Sequence, residues 1–360
     1  MARTSARPVD AAGPGSRPRT SRQGGRGYSA YAAYAAPSSS SVRPDGGPDV
    51  EEIEIRTSDG WDLRAGLLEP AVEQHAPKGV AVLAHAFMAR RSEFHRVDGG
   101  LAGFLAAAGW KVVSFDFRGH GDSTRTAGKA PVSADYGYDD LVRGDLPAVV
   151  GFARSRLRGK GPVVVVGHSL GGHTSLVAQA TGAIEVDALV GFGASPWVRA
   201  FEPSAARWAA KRALLLGMAI ATSRVGRFPA RALRRGSDDE SRVLIADVAR
   251  FASRGWGSAD GARDYLEAIG SVRVPVLQVV STGDRLECAP ECGAALLDHC
   301  GKGAARDLVR IEGSDDGSPA PGHMAMVTSE RVKLAWARVT EWMSVYAAAG
   351  ERAAAPRSRR

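Results

Sequence analysis

Strand-like and helix-like stretches alternate along most of the chain. From Val50, the sequence VEEIEIRTSDGWDLRAGLLEP alternates apolar and polar residues around a Ser-Asp-Gly turn, which predicts a β-hairpin. Six further strands are predicted over residues 79–86, 111–117, 162–169, 186–195, 274–284 and 307–313. Helices are predicted over residues 96–108, 139–157, 170–181, 289–299 and 330–347. Since several strands are apolar on both faces, we expect an α/β fold: a mostly parallel central sheet flanked by helices.

This alternation stops between Ser195 and Val274. The interval contains no convincing strand and is too long for a loop. It holds an apolar helical stretch, residues 207–222, then a basic run and a second helical stretch. We therefore expect a helical cap over residues 196–268, inserted after the sixth strand. The core would then consist of residues 50–195 and 269–347.

Composition separates the two ends of the chain from its middle. Residues 1–49 are rich in Arg, Ala, Gly, Ser and Pro, which predicts a disordered tail, and residues 348–360 are expected to form a second, basic tail. Of the formal net charge of +8, residues 1–50 carry +4 (seven Arg, three Asp) and residues 351–360 carry +3 (four Arg, one Glu). The middle is thus close to neutral, so nucleic-acid binding by the folded core is not indicated.

The cysteines and the apolar runs bear on the cellular location of the protein. Cys288, Cys292 and Cys300 are too few for a disulfide framework or a metal site, and they predict buried thiols in a reducing environment. No apolar run approaches the roughly 18 residues of a membrane span, and the N-terminus lacks the apolar core of a secretory signal. We expect a cytoplasmic protein that binds no metal, and the sequence leaves its oligomeric state open.

The strand predicted over residues 162–169 runs into the sequence Gly-His-Ser-Leu-Gly-Gly, residues 167–172. A serine at such a strand-to-helix turn has an exposed side chain, as a nucleophile requires. Gly167 and Gly171 would remove the clashes of a tight turn, and the following helix dipole would favour developing negative charge. Ser169 is therefore a candidate nucleophile. The alternative is that Ser169 merely caps the helix.

A serine nucleophile needs a base to take its proton and an acid to orient that base. The strand that ends in Ser-Thr-Gly-Asp supplies Asp284, and the loop after the last strand supplies His323. Because sites in open α/β sheets form at the carboxyl ends of strands, we expect Ser169, Asp284 and His323 to meet as a catalytic triad. The weaker alternatives are Glu287, Asp315 and Asp316 as the acid and His299 as the base.

An oxyanion formed at this serine would need two backbone N–H donors. One is expected from Leu170, which follows the nucleophile, and one from Phe87, in the loop after the strand at residues 79–86. Only the N–H group of Phe87 is needed, so its side chain is free to line a substrate pocket.

Two patterns in the predicted cap have more than one interpretation. Its apolar residues would either roof an acyl pocket or pack the cap on the core; they are Trp208, Leu214, Leu215, Leu216, Met218 and Ile220. Its arginines would either meet an anionic substrate or membrane surface or form a solvated helix face; they are Arg224, Arg227, Arg231, Arg234 and Arg235. The acids Asp238, Asp239 and Glu240 follow closely, and we expect them to neutralise part of the basic run.

Four motifs resemble those of α/β-hydrolase-fold serine hydrolases of the esterase, lipase and serine-aminopeptidase-like kind. They are Gly-His-Ser-Leu-Gly-Gly, Asp-Phe-Arg-Gly-His-Gly-Asp-Ser at residues 116–123, Ser-Thr-Gly-Asp and Gly-His-Met. The resemblance covers about residues 50–347. It implies that Arg118, Gly119, His120 and Gly121 support the site rather than act chemically. The other residues expected to support the site are His85, Gly167, His168 and Gly171.

The resemblance also implies an activity. It predicts hydrolysis of a small-molecule carboxylic ester, lipid-like esters and thioesters included, through an acyl-enzyme on Ser169 and without a cofactor. An acyltransferase that uses the same serine, or a non-catalytic binding protein with this fold, are the alternatives. One departure is that His85-Ala86 stands where the family usually has His-Gly. We expect the added methyl group to narrow the oxyanion side or to alter its turn.

Overall fold

The computed structural model describes residues 49–71, 76–95, 99–125, 136–157 and 161–354. Predictions for residues 1–48 and 355–360 therefore lie outside the described residues. Eight strands form the main sheet: β1 (Glu51–Arg56), β2 (Trp61–Leu68), β3 (Val80–Ala84), β4 (Lys111–Phe115), β5 (Val163–His168), β6 (Ala188–Phe192), β7 (Val276–Ser281) and β8 (Arg306–Ile311).

The spatial order of these strands is β1-β2-β4-β3-β5-β6-β7-β8. The β1–β2 hairpin and the β2–β4 pair are antiparallel, whereas every pair from β4 to β8 is parallel. A two-residue strand, Thr124–Arg125, adds a short antiparallel pairing to β2. The predicted hairpin and the mostly parallel sheet are thus confirmed.

Seven helices of eight or more residues surround the sheet in the part of the chain described. They are α1 (Gly100–Ala107), α2 (Leu146–Ser155), α3 (Leu170–Ala180), α4 (Ala205–Val225), α5 (Arg242–Arg254), α6 (Pro290–His299) and α7 (Lys333–Ala354). The short helix Tyr138–Asp140 and a π-helical turn, Leu141–Asp145, lead into α2. Four-residue helices are Tyr265–Ala268 and Ala325–Thr328, and 3₁₀ turns are Arg91–Phe94, Arg199–Phe201, Ile269–Ser271 and Glu330–Val332.

The four consecutive valines of β5 divide between the two faces of the sheet. Val163 and Val165 belong to one hydrophobic cluster, together with residues of α2 and α3. Val164 and Val166 belong to a second cluster, together with residues of α1 and α7. Because side chains alternate along a strand, a strand covered on both faces must be apolar at every position. The main core therefore fixes the end of β5 from both sides.

Residues 196–268, the insertion, leave the sheet after β6 and return before β7. The Ser204 hydroxyl caps α4 by accepting the Arg207 N–H at 3.3 Å, and the helix is followed by Gly226, whose φ of 83° suits glycine. Two short strands, Arg227–Phe228 and Glu240–Ser241, pair between α4 and α5. The sequence does not predict them, since two-residue strands carry no periodic pattern.

Ion pairs join the first half of α4 to the start of the insertion and to the core. The Lys211 ammonium and the Arg207 guanidinium each lie 2.8 Å from a carboxylate oxygen of Glu202, and the two side chains of the Lys211–Glu202 pair are buried. Arg207 also reaches Glu291 on α6, at 2.5 Å. These contacts hold the N-terminal half of α4 against the turn that follows β6.

The last helix is longer than predicted. We expect a basic tail from residue 348, but α7 continues to Ala354. The added residues include several alanines, the residue with the highest intrinsic helix propensity, which favours continuation of the helix. Within the described residues, no helix combines the length and the hydropathy needed to cross a membrane.

Candidate active site

Ser169 stands at the turn between β5 and α3 with φ 49° and ψ −111°. A positive φ is uncommon for a residue other than glycine, and it stores strain that the surrounding fold must compensate. Its N–H donates to Phe192 O at the end of β6, at 2.9 Å. The turn is therefore fixed by the neighbouring strand.

The glycines on either side of Ser169 allow close backbone approach. A Cβ at Gly167 would lie 2.3 Å from the backbone N of Gly172, and a Cβ at Gly171 would lie 2.1 Å from Ala84 O. Both distances are far below van der Waals contact, so neither position accepts a side chain without movement of the backbone. This agrees with the steric role predicted for both glycines.

The hydroxyl of Ser169 does not cap α3. Although Ser169 occupies the N-cap position, its side chain accepts no backbone hydrogen bond there. The alternative interpretation, a serine that only caps the helix, is therefore wrong. The half-buried side chain remains available for other chemistry.

Asp284 and His323 form a close pair. His323 Nδ1 lies 2.5 Å from Asp284 Oδ2, and the second oxygen, Oδ1, accepts the Cys288 N–H at 3.0 Å. Burial raises the pKa of Asp284, but the hydrogen bond and charge of His323 and the Cys288 N–H outweigh it. The pKa of Asp284 consequently lies below its ordinary value, so the group is a carboxylate that orients the imidazole.

The loop that carries His323 is fixed against the end of β7. The Ser281 hydroxyl donates to Pro321 O at 2.6 Å. Gly283 approaches so closely that a Cβ there would lie 2.2 Å from Ala320 O. The two loops that supply Asp284 and His323 therefore pack directly on each other.

His323 also reaches the end of β6, where Ser169 is fixed. A Cβ on Gly193 would lie 2.9 Å from His323 Cε1, and the rings of His168 and His323 have centroids 4.9 Å apart. Between described residues, no hydrogen bond joins the Ser169 hydroxyl to His323. The structure thus brings Asp284 and His323 into contact and places the ring of His323 next to His168, the residue before Ser169.

Both predicted oxyanion donors lack a protein acceptor. Among the described residues, neither the Leu170 N–H nor the Phe87 N–H makes a hydrogen bond, whereas their neighbours do. Gly171 donates to His85 O at 3.1 Å, Ala86 donates to Glu93 Oε1 at 3.0 Å and Met88 donates to Glu240 Oε2 at 3.2 Å. Two N–H groups are left for a ligand on the segments that border Ser169.

The turn that carries Phe87 spans residues 86–89 and is closed by the Ala89 N–H on Ala86 O, at 3.2 Å. Its left-handed residue is Met88, with φ 59°, and not Ala86. The methyl group of Ala86 is buried without a positive φ, so it does not strain the backbone at this position. The backbone strain of this turn therefore lies at Met88, and the effect expected of the Ala86 methyl group stays a prediction.

Glu240 of the insertion holds this turn from the other side. Its Oε2 accepts the Met88 N–H and lies 3.2 Å from His120 Nε2, while Oε1 accepts the Tyr136 hydroxyl at 2.9 Å. Burial lowers the pKa of His120, but the charge and hydrogen bond of Glu240 outweigh it and raise that pKa to about 9. Burial likewise raises the pKa of Glu240, yet His120 brings it below its ordinary value. The pair is a buried imidazolium and carboxylate.

Glu93 joins the turn to the residue before the nucleophile. Its Oε1 accepts the Ala86 N–H and lies 3.1 Å from His168 Nδ1. The other polar atoms of this pair, Glu93 Oε2 and His168 Nε2, are buried without a protein partner. Glu93 and His168 thus connect both strand ends behind the site.

The remaining supporting residues lie in structural contacts. His85 is buried; its Nε2 accepts the Phe117 N–H at 3.0 Å, and its Nδ1 therefore donates to Ala86 O at 2.8 Å. Burial lowers the pKa of His85, which keeps the ring neutral. Arg118 is bound by Asp145 and Asp59, each at 2.7 Å, and so ties the β1–β2 hairpin to the segment before α2.

The structure does not place the alternative base or the alternative acids in the roles considered for them. His299 is exposed and donates from Nδ1 to Ala295 O on its own helix. Asp315 and Asp316 lie exposed in a turn, and Glu287 is exposed after Asp284. None of these side chains forms an ion pair with His323 in the described chain.

Two expectations for the insertion hold only in part. Leu215 is buried and Met218 packs beside Phe228, whereas Leu214, Leu216 and Ile220 are exposed and do not pack on the core. Asp238 pairs with Arg90 at 2.5 Å, and Glu240 is buried against His120, so only Asp239 neutralises an arginine of the basic run, Arg227 at 3.1 Å. The acids face inward because the fold offers buried cationic partners there.

The sequence gives no signal for Glu240 or Glu93 as part of the site. Glu240 stands among three acids next to a basic run, and its partners Met88, His120 and Tyr136 lie in distant segments of the chain. Glu93 follows two arginines in an undistinguished loop. Only the fold brings either carboxylate to the strand ends.

Comparison with known proteins assigns this fold. Residues 81–335 match the alpha/beta hydrolase family, and no curated protein matches the chain. A monoacylglycerol lipase from Paleococcus ferrophilus is similar at 18% identity and a TM-score of 0.52, over 79% of this chain and 99% of that one. The ferulic-acid-bound Est1E of Butyrivibrio proteoclasticus is similar at 19% identity and a TM-score of 0.54, over 82% and 99% of the two chains.

A third similar structure is an alpha/beta hydrolase from Penicillium sp. sh18, at 17% identity and a TM-score of 0.56, over 83% of this chain and 99% of that one. At such identities these solved structures support the fold, while the sequence match over residues 81–335 covers most of the chain. The chain belongs to the alpha/beta hydrolase family.

Proposed function

We propose that this protein is a serine hydrolase that cleaves a carboxylic ester through an acyl-enzyme on Ser169. The observation that carries the proposal is the conformation of Ser169. Its φ of 49° is held by the end of β6, and its hydroxyl is not used to cap the helix behind it. Strain of this kind persists where a side chain must be presented to a ligand.

The proposed reaction begins with attack of Ser169 Oγ on the ester carbonyl carbon. His323 takes the hydroxyl proton on Nε2, because its Nδ1 is bound by Asp284 at 2.5 Å. It then returns the proton to the leaving alkoxide, and water repeats the sequence to release the acid. Substrate binding must bring the serine and the imidazole within hydrogen-bond reach, as catalytic pairs often tighten only in the complex.

The N–H groups of Phe87 and Leu170 are the proposed oxyanion donors. Each such donor typically contributes about 3–4 kcal/mol to lowering the barrier. Glu240 supports one of them, since it accepts the N–H of the neighbouring Met88 and so fixes the turn. We propose that the insertion is a cap whose residues help to shape the oxyanion side.

The chemical class of the substrate follows from the lining of this side. Phe87 and Met88 pack with Met218 and Ala221 of α4 against a small apolar cluster centred on Phe228. An apolar group of the substrate would contact this cluster. Two of the similar structures are named as a monoacylglycerol lipase and an esterase, which agrees with an ester that has an apolar acyl or alcohol part.

A fluorophosphonate probe tests the nucleophile. We expect it to label the wild-type protein and a Ser253→Ala control, which removes an exposed helix serine. The Ser169→Ala variant should fold, resist labelling and lose hydrolysis of p-nitrophenyl esters by at least about 10³-fold. Ester hydrolysis retained by folded Ser169→Ala would overturn the proposal.

A second assay separates hydrolysis from transfer. The fluorophosphonate probe would also label an acyltransferase that uses Ser169. When an alcohol or amine is added, such an enzyme would form ester or amide product faster than free acid. We expect free acid as the main product. An unlabelled, folded wild-type protein would instead indicate a binding protein. The cytoplasmic location stays a prediction from the sequence; fractionation of cells that express the full chain tests it.

A further inference from the structure

Helix α4 exposes apolar side chains along its outer face. Leu216 is 63% exposed and Ile220 is 51% exposed. Ala209 and Ala213 extend this face toward the start of the helix at three- and four-residue spacing. Exposed apolar residues that share one face, rather than single ones, indicate an interaction surface.

Arginines without acidic partners lie near the C-terminal end of α4 and in the turn beyond it. Arg224 lies on α4 itself, and Arg231, Arg234 and Arg235 lie in the turn that follows the first short strand of the insertion. All four are exposed, and none forms an ion pair with another described residue. The nearby acids are already occupied by Arg90, His120 and Arg227. This end of the insertion therefore carries uncompensated positive charge.

The inner side of α4 contacts the proposed site. Met218 and Ala221 pack in the same small apolar cluster as Phe87 and Met88. One helix thus has an outer face in solvent and an inner face beside the oxyanion turn. Whatever binds the outer face would lie one helix diameter, about 10 Å, from that turn.

We propose that the outer face of α4 and the unpaired arginines at its C-terminal end and in the turn beyond dock on an anionic lipid surface. Apolar side chains on one face with basic residues beside them are the composition of helices that lie in the membrane interface. Long arginine side chains reach the headgroups while leucine and isoleucine enter the acyl boundary. The uncompensated charge favours this occupant over a second copy of the chain, since the same arginines would then meet each other.

Vesicle co-sedimentation tests the docking. We expect the full chain to bind vesicles of phosphatidylcholine mixed equally with phosphatidylglycerol, and to bind vesicles of phosphatidylcholine alone much more weakly. Each basic residue near an anionic surface contributes about five-fold to the affinity, so Arg224→Ser/Arg231→Ser/Arg235→Ser should bind roughly 100-fold more weakly. Binding should also fall as salt is raised.

Matched variants separate the surface from general effects. Leu216→Ser/Ile220→Ser should lose binding, whereas Leu334→Ser and Arg338→Ser on α7, where Leu334 is 72% exposed, should keep it. These three variants and the arginine variant should keep hydrolysis of a short, water-soluble ester. Because Ser169→Ala should bind as the wild type does, this inference goes beyond the proposed function and does not depend on it.

Three results would overturn the docking proposal. The first is equal binding to neutral and anionic vesicles. The second is unchanged binding of the leucine–isoleucine or arginine variants. The third is a wild-type dimer in solution that becomes monomeric in Leu216→Ser/Ile220→Ser, because a second copy would then cover this face.

Discussion

Ser169 and Met88 share an uncommon backbone conformation on the two sides of the proposed oxyanion site. Their φ angles are 49° and 59°. Each such residue costs about 1–3 kcal/mol, and the cost is tolerated only where surrounding contacts fix the backbone. For Ser169 those contacts come from Phe192 and the two glycines; for Met88 they come from Glu240 and from Gly236, which lies against Met88 O.

The Gly171→Ala variant tests the steric part of this account. The new methyl group would lie 2.1 Å from Ala84 O, which must move, and Ala84 ends the strand that leads to the oxyanion turn. We expect a loss of about 1–3 kcal/mol in the free energy of unfolding and a lower kcat. Urea denaturation and ester kinetics measure both. Gly151→Ala, inside α2 with open space around it and no positive φ, serves as the control for a methyl group added without a clash.

The Asp284→Asn variant tests the pairing with His323. An amide in place of the carboxylate presents an N–H group to His323 Nδ1 and so favours the wrong tautomer of the imidazole. We expect kcat to fall by about 10⁴-fold while the protein stays folded. Steady-state kinetics and circular dichroism check both parts. A fall of less than about ten-fold would contradict the assigned role of Asp284.

The residues of the site differ in how far the sequence indicates them. Ser169, Asp284 and His323 each follow a predicted strand in a short motif, so local pattern is sufficient to propose them. Glu240 and Glu93 act on backbone groups of a turn that no local pattern links to them. Side chains that serve a site through long-range contacts are therefore found only once the fold is known.

At the scale of elements, strands and helices of the core follow their patterns, and the insertion does so only in part. The apolar stretch at residues 207–222 does form a helix, α4, but most of its apolar side chains face solvent. Apolar composition predicts burial only when a partner surface exists, and here Lys211, Leu215 and Thr222 occupy the buried face. Sequence alone does not distinguish these two outcomes.

The short strand Glu240–Ser241 links the insertion to the core through the His120–Glu240 pair. Because His120 titrates, the stability that this pair contributes depends on pH. Folded His120 has a pKa of about 9 against an ordinary value of 6.5. The pair therefore contributes its full stability below about pH 6.5 and loses it as the pH rises through about 9. We expect the melting temperature to fall over this range. In His120→Gln, whose side chain does not titrate, the melting temperature should be lower at pH 6.5 and nearly constant up to pH 9; an unchanged slope would contradict this assignment.

At the scale of the whole molecule, charge is less evenly distributed than the sequence suggests. The two chain ends account for +7 of the formal charge of +8. The core is close to neutral in sum, yet the fold turns two acids of the insertion inward and leaves four arginines unpaired outside. A basic surface thus arises from the direction in which side chains point, which a net charge does not report.

The rate at which a protease cleaves the arginine-rich turn should report how firmly the core holds the insertion. Asp238 binds Arg90 through two hydrogen bonds, and the Ser237 N–H donates to Met88 O at 2.8 Å. We expect Asp238→Asn to loosen this end, so that trypsin cleaves after Arg231 or Arg235 several-fold faster than in the wild type.

Mass spectrometry of timed digests locates the cuts. Glu312→Gln, which removes an exposed ion pair with Arg310 on β8, should leave the cleavage rate unchanged. If Asp238→Asn and Glu312→Gln are cleaved at equal rates, the Arg90–Asp238 pair does not hold the insertion.

Glu240 also matters for protein engineering in which the inserted segment is exchanged for another. Such an exchange is geometrically simple, because the inserted segment leaves and re-enters the core at neighbouring strand ends. In this chain the insertion carries the carboxylate that holds Met88 and accepts from His120. A transplanted segment without an equivalent of Glu240 would leave the His120 imidazole unpaired in the core. It would also leave the Met88 N–H without its acceptor, so the turn would be less firmly fixed. The proposed site is therefore built both from the core and from a segment that recombination would treat as a separate part.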